Sequence, residues 1–210
     1  MKNKERKLTE KEQQRKEKFD ILCEKMASEG YVKTNLTVGV VAANFIAIVI
    51  MAPFMALALL AFCFTVSEAT VSFTIAESLA LFPVAIALIV LHELIHGFTW
   101  GCFAKSRFRS IDFGVIWSAL TPYCTCSEPL KRWQYILGGL MPTLILGFGL
   151  TAVSCFFHSL FWLIVSELLI LGGGGDFIIV LKILLHRSKG KDTLYYDHPY
   201  ECGVVVFEKD

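Results

Sequence analysis

Charged side chains are scarce in this 210-residue chain: Asp, Glu, Lys and Arg make up 19% of it, against about a quarter in a soluble domain. Residues 38–64 and 133–157 contain none. Together with 55% hydrophobic residues, 17 phenylalanines and a mean hydropathy of +0.57, the deficit excludes an ordinary soluble domain and implies a membrane protein. A surplus of one charge sign is missing too, the net charge being +1 although Lys and Arg sit in blocks, and nucleic acid is not an expected partner. The seven cysteines are an odd number, scattered mostly through apolar runs, which suits buried free thiols rather than a disulfide framework. No Ala-x-Ala-like site follows the first apolar run, and the basic stretch ahead of it is too long for a signal peptide, so the N-terminal segment is expected to stay attached. The sequence has no internal repeat, no low-complexity linker and no boundary that would support a second folded domain.

Four apolar stretches are present, at about 37–64, 75–104, 133–157 and 160–181, each reaching the roughly 20 residues that a bilayer core requires. Ten of the 20 Lys and Arg residues lie in the first 33 positions and most of the others at 105–109, 131–132 and 182–191, while 65–74 and 156–160 have none. By the positive-inside rule both termini and the 105–132 connection are cytoplasmic, and the chain belongs in a cell membrane as a multi-pass protein. The expected fold is an all-α membrane protein: four transmembrane helices, a short β-hairpin-like segment between helices 2 and 3, and a cytoplasmic N-terminal helix. Its parts are residues 1–34 (charged amphipathic helix), 35–187 (membrane core) and 188–210 (cytoplasmic tail). The first part places Phe19, Leu22, Cys23 and Met26 on one helical stripe, stops near Gly30, and is expected to rest on the inner membrane face.

The 105–132 connection alternates: Ile111, Phe113, Val115 and Trp117 interleave with Asp112, Gly114, Ile116 and Ser118, the period of a strand or hairpin. Backbone near lipid must be paired, so such a hairpin packs on the helices or binds something extended. A second strand-like piece, Gly203 to Glu208, follows the turn-like "YDHPYE" in the tail.

Within the second apolar stretch stands His92-Glu93-Leu94-Ile95-His96. Residues four apart share a helix face, so both imidazoles can reach one ion while Glu93 can approach a water beside it. This is the metalloprotease pattern HExxH, with zinc as the expected cofactor. A bland alternative, two histidines bonded to neighbouring helices, leaves unexplained a carboxylate costing about 2.5–3.5 kcal/mol at mid-bilayer. A zinc site of this type needs a third protein ligand. Asp176, in the glycine-rich "LGGGGDF", lies as far along its inward-running stretch as His92 does along its own, about 25 Å from the outer boundary. Glu167 competes, but nine residues earlier it falls on the opposite face and about 13 Å nearer the outside. In "RWQYILGGLMPTLILGFG", Pro142 breaks the helix and frees the carbonyl of Gly138 near the same depth, while Gly138, Gly139, Gly147 and Gly149 permit close helix approach. Gln134, Tyr135 and Asn44 are candidate polar helpers.

The motif His92 to Gly97, the Gly-Gly-Asp at 174–176, "TPYCTCSEPL" and "DHPYECGVVVFE" resemble a bacterial family of membrane zincin peptidases, itself similar to the site-2 proteases, over about residues 20–208. The resemblance implies the bacterial cytoplasmic membrane, zinc held by His92, His96 and Asp176, and Glu93 as general base. The Asn-Pro-Asp-Gly form around the third ligand of site-2 proteases is absent here, as is a PDZ-like insertion. The function so implied is a membrane-embedded zinc metallopeptidase that hydrolyses peptide bonds of a membrane-associated polypeptide, with the hairpin pairing to the extended substrate. A catalytically inactive zinc-binding scaffold, or pseudoprotease, is the alternative. A haem protein fits poorly, because two histidines on one helix face cannot bind opposite faces of one haem. A transporter would use Glu68, Glu77, Glu167 and Asp176, which are spread over different faces. Substrate identity and oligomeric state are left open.

Overall fold

The computed structural model describes residues 9–66, 72–116, 121–188 and 190–210. Glu68, and Trp117 and Ser118 of the alternating pattern, lie outside the described residues. In chain order the elements are α1 (Glu10–Ser28), β1 (Val32–Thr37), α2 (Val40–Thr65), α3 (Ile75–Phe103), β2 (Ile111–Ile116), β3 (Thr121–Cys126), β4 (Leu130–Lys131), α4 (Arg132–Pro142), α5 (Gly149–Phe157), α6 (Leu160–Gly172), α7 (Gly174–Leu185), β5 (Asp192–Asp197) and β6 (Gly203–Lys209). A 3₁₀ turn (Arg107–Ser110) leads into β2, and a π-helical turn (Thr143–Phe148) joins α4 to α5.

Among the described residues three helices are long and apolar enough to cross a membrane: Val41–Thr65, Ile75–Phe103 and the continuous Arg132–Phe157. The pair α6 and α7, bent by 42° at Gly173, makes a fourth if counted as one span. These helices form because leucine, alanine, isoleucine and phenylalanine fill most of their positions, charged residues being few inside them: none in α2, Glu77 and Glu93 in α3, Glu167 in α6, Asp176 and Lys182 in α7. The last two carry the irregularities for which the sequence prepares: Pro142, without an N–H, stands just before the π turn, and the glycine run breaks the fourth stretch. Outward faces are apolar, with Val41, Phe45, Val49, Ile75, Leu79 and Phe82 all at least 70% exposed.

The all-α expectation is incomplete. A four-stranded antiparallel sheet, ordered β1-β6-β5-β4, joins segments from both ends of the chain, Val32 pairing with Glu208 and Thr37 with Gly203. Alternation along β6 explains its place between two layers. Val204 and Val206 point to the bundle, packing with Tyr195, Trp100 and Ile183. Val205 and Phe207 point the other way, to Phe19, Met26, Leu22 and Cys23 of α1. The stripe of α1 therefore packs on the sheet, not on the inner membrane face as expected, because the sheet offers it a buried apolar surface. β2 and β3 form a separate antiparallel pair, Ile111 opposite Cys126 and Phe113 opposite Cys124.

Candidate metal centre

α3 delivers His92 and His96 to one face, one turn apart, and both are buried. Opposite them, α7 begins at Gly174 after the bend, so Asp176 sits in its first turn, where the helix N-terminus favours a carboxylate. A side chain on Gly173 would strike Thr143 Oγ1, and one on Gly174 would strike Ala47, so the break can seat itself here only with glycine. Asp176 Oδ2 lies 3.3 Å from His92 Nε2 and 3.2 Å from His96 Nε2, and the two nitrogens are 3.2 Å apart.

These three residues form a group that can hold a metal ion, and among the described residues no other such group occurs. The donor set fits zinc: ligands at about 2.0–2.2 Å in a tetrahedron stand about 3.3–3.6 Å from each other, close to the observed triangle. The fit extends to the ring beyond. His96 Nδ1 donates to the carbonyl of Gly138 at 2.8 Å, the carbonyl that Pro142 leaves without an intrahelical donor. With the proton on Nδ1, Nε2 keeps its lone pair for a metal.

Close packing of α4 on α3 makes that bond possible. A Cβ on Gly138 would fall 2.0 Å from Trp100 Nε1, and the Trp100 ring stacks on His96 with centroids 5.0 Å apart and planes at 17°. Gly139 approaches Val180 of α7, and Gly147 approaches Ile170 of α6, whereas Gly149 meets only its own helix. The half-buried Glu93 stands beside this triangle, and the backbone N–H of Cys124 on β3 is directed at its carboxylate.

The remaining candidates are placed elsewhere. Glu167 lies on α6, both its oxygens buried without a hydrogen-bond partner, outside the metal group. Gln134 accepts from the N–H of Lys131 and caps α4. Asn44 is exposed on α2. Tyr135 is buried and donates its hydroxyl to Asp197, whose other oxygen accepts the N–H of Cys126 at 2.7 Å. Burial, opposed by these two bonds, pushes the Asp197 carboxyl up to about 6. Burial also raises the thiols of Cys124 and Cys126, the latter to about 12, so neither is a thiolate nucleophile at neutral pH. Sequence reasoning missed Asp197, Trp100 and the Cys124 N–H; only the position of Asp197 at the head of the tail motif hinted at it.

Residues 85–190, half of the chain and inclusive of the triangle, match the family model described as "Putative zincin peptidase". Comparison with curated proteins and with solved structures gave no match.

Proposed function

This chain belongs to the zincin peptidase family, and from that premise we propose that it is a membrane-embedded zinc metallopeptidase hydrolysing peptide bonds of a membrane-associated protein. His92, His96 and Asp176 hold the metal, and Glu93 is the general base. The observation that carries this reading is the triangle of donor atoms at 3.2–3.3 Å with a carboxylate on the residue next to one of its corners. The same arrangement supports a site-2-protease-like architecture.

Zinc bound there supplies Lewis acidity, polarising the scissile carbonyl and making water a stronger acid. Glu93 takes a proton from the attacking water and passes it to the leaving amide nitrogen, so that one water and one peptide bond give a carboxylic acid and an amine. The bond from His96 Nδ1 to Gly138 keeps the imidazole turned toward the metal position. Asp176 contributes a negative charge at the helix terminus where it costs least. A substrate helix hides its carbonyls in its own hydrogen bonds and must become extended before attack, and the β2–β3 hairpin beside α3 suits the pairing of such a segment.

Lipid around the apolar outer faces of α2 and α3 accounts for side chains that water would penalise. The sheet, with its strands from both ends of the chain, and the basic residues Lys105, Arg107, Arg109, Lys131 and Arg132 then lie on the cytoplasmic side.

The test compares membranes from cells carrying the wild type with those carrying Glu93→Gln. At least one polypeptide accumulates uncleaved in the variant. If none differs, and Glu93→Gln restores the phenotype of a deletion strain, the chain is a zinc-binding scaffold and the hydrolase reading is wrong.

A further inference from the structure

The pairing of β2 with β3 decides which way the β3 backbone faces. The Ser127 N–H donates to Ser110 O at 2.7 Å, and Thr125, two residues earlier, stands opposite Asp112 in the same antiparallel register, so the N–H groups of 125 and 127 turn toward β2. Strand alternation then turns those of Cys124 and Cys126 to the outer edge of β3. Each meets a carboxylate there. The N–H of Cys126 is taken by Asp197 at 2.7 Å, and that of Cys124 is directed at Glu93. The outer edge of the hairpin is thus held by an acid from the tail, Asp197, and faces Glu93 of α3.

The second oxygen of Asp197 takes the hydroxyl of Tyr135, on α4. Tyr135 is 3% exposed, and its own carbonyl accepts Trp100 Nε1 at 3.2 Å. Trp100 in turn stacks on His96, and one turn along α4 the Gly138 carbonyl receives His96 Nδ1. Both oxygens of this acid are committed, one toward the strand that meets Glu93 and one toward the helix that holds His96. A carboxylate that only closed a turn would need neither bond, and β5 has its ladder to β6 without them, Asp197 standing opposite Val204.

We propose that Asp197 is a positioning residue for the peptidase site, fixing the outer edge of β3 so that the Cys124 N–H orients the Glu93 carboxylate, while its bond to Tyr135 seats α4 against the metal-holding face of α3. The inference rests on the peptidase reading above, and its first consequence is independent of that reading. Asp197 is not one of the three donor residues, and both its oxygens are engaged by groups of the protein itself. Its loss leaves the three donor atoms in place and disturbs the base.

Asp197→Asn keeps the shape and one accepting oxygen, so one of the two donors loses its acceptor. The experiment uses the full chain in detergent micelles with three readouts: zinc affinity by competition with a chromophoric chelator, amide exchange of the 121–126 segment by mass spectrometry, and cleavage of fluorescently quenched β-casein. The expected result for Asp197→Asn is zinc affinity within about threefold of wild type, exchange in 121–126 at least about tenfold faster, and kcat lowered about tenfold or more with KM within about threefold. Tyr135→Phe removes only the α4 arm and leaves exchange in 121–126 near wild type. Unchanged exchange in Asp197→Asn overturns the proposal, as does a loss of zinc in parallel with activity, which would mark Asp197 as a plain fold contact. A wild type that leaves β-casein intact counts against the peptidase reading alone, and exchange with zinc binding then decides the positioning claim.

Discussion

Gly138→Ala tests whether the contact of α4 with α3 holds the metal-binding face. The added Cβ would stand 2.0 Å from Trp100 Nε1 and 2.2 Å from its Cδ1, where ordinary contact begins at 3.4 Å. The ring, or α4, must retreat by roughly 1.4 Å. Trp100 has little room: it is 4% exposed, stacked on His96 and tied to the Tyr135 carbonyl. Overpacking of this kind costs about 1–3 kcal/mol, and a backbone position against a pinned ring belongs at the upper end. Alanine returns at most about 1 kcal/mol of helix propensity, leaving a net loss of about 2 kcal/mol. Zinc affinity falls further than stability alone would require, because retreat of α4 stretches the 2.8 Å bond that sets the His96 tautomer. Loss of such a supporting bond lowers metal affinity about 10- to 100-fold. The assay is chelator competition and thermal unfolding in micelles, with Gly172→Ala as control, since nothing lies within 4 Å of a Cβ at that position. If Gly138→Ala binds zinc and melts as Gly172→Ala does, the packing argument is refuted.

Purified protein is expected to hold about one zinc, lost in His92→Ala, His96→Ala and Asp176→Ala but retained in Glu93→Gln; metal analysis that finds zinc lost in Glu167→Ala and kept in Asp176→Ala would reassign the third ligand. Thiol labelling in whole cells checks orientation: a cysteine placed at Ser188 should react only from the cytoplasmic side and one at His158 only from outside, and the reverse pattern inverts the topology. Asp197 gives a pH signature. Its carboxyl, pushed by burial up to about 6 from an ordinary 3.8, contributes stability that is fully present below the ordinary value and is lost as pH rises through the folded one. Asp197→Asn should therefore gain on wild type by about 2 kcal/mol between pH 4 and pH 7, and melting curves whose difference stays flat over that window would contradict the burial of the charge.

The long helices are legible in the sequence because each is predominantly apolar and ends at a charge or a turn. The metal-binding pattern is legible because spacing by four on a helix translates directly into a shared face. The free Gly138 carbonyl follows from Pro142 for an equally local reason. The sheet is harder to read. β6 is a continuous run, Val204 to Phe207, buried on both faces, and shows itself; β1 and β5 mix charged, polar and apolar positions because each is partly exposed, and their partners lie at the other end of the chain. The bend at Gly173 is only half legible, since four glycines announce a weakness but not the 42° change of direction. Asp197 carries no periodic signal at all. A single acid in a turn-like motif becomes meaningful only when folding brings Cys126 and Tyr135 to it.

Pairing of β1 with β6 has a consequence for biosynthesis. Val32 leaves the ribosome before α2 is made, yet its partner Glu208 follows α7. The strand that faces both α1 and the bundle is thus made after all the helices it covers, and the loop it closes encloses every candidate crossing among the described residues. Until it docks, neither α1 nor the base of the bundle has its apolar cover. A nascent or truncated chain would insert its helices without completing the sheet, and Asp197, on the adjoining strand, would lack a scaffold. Assembly order therefore makes the contacts of Asp197 with β3 and α4 a late product of synthesis, formed only after the helices that carry His92, His96 and Asp176 are complete.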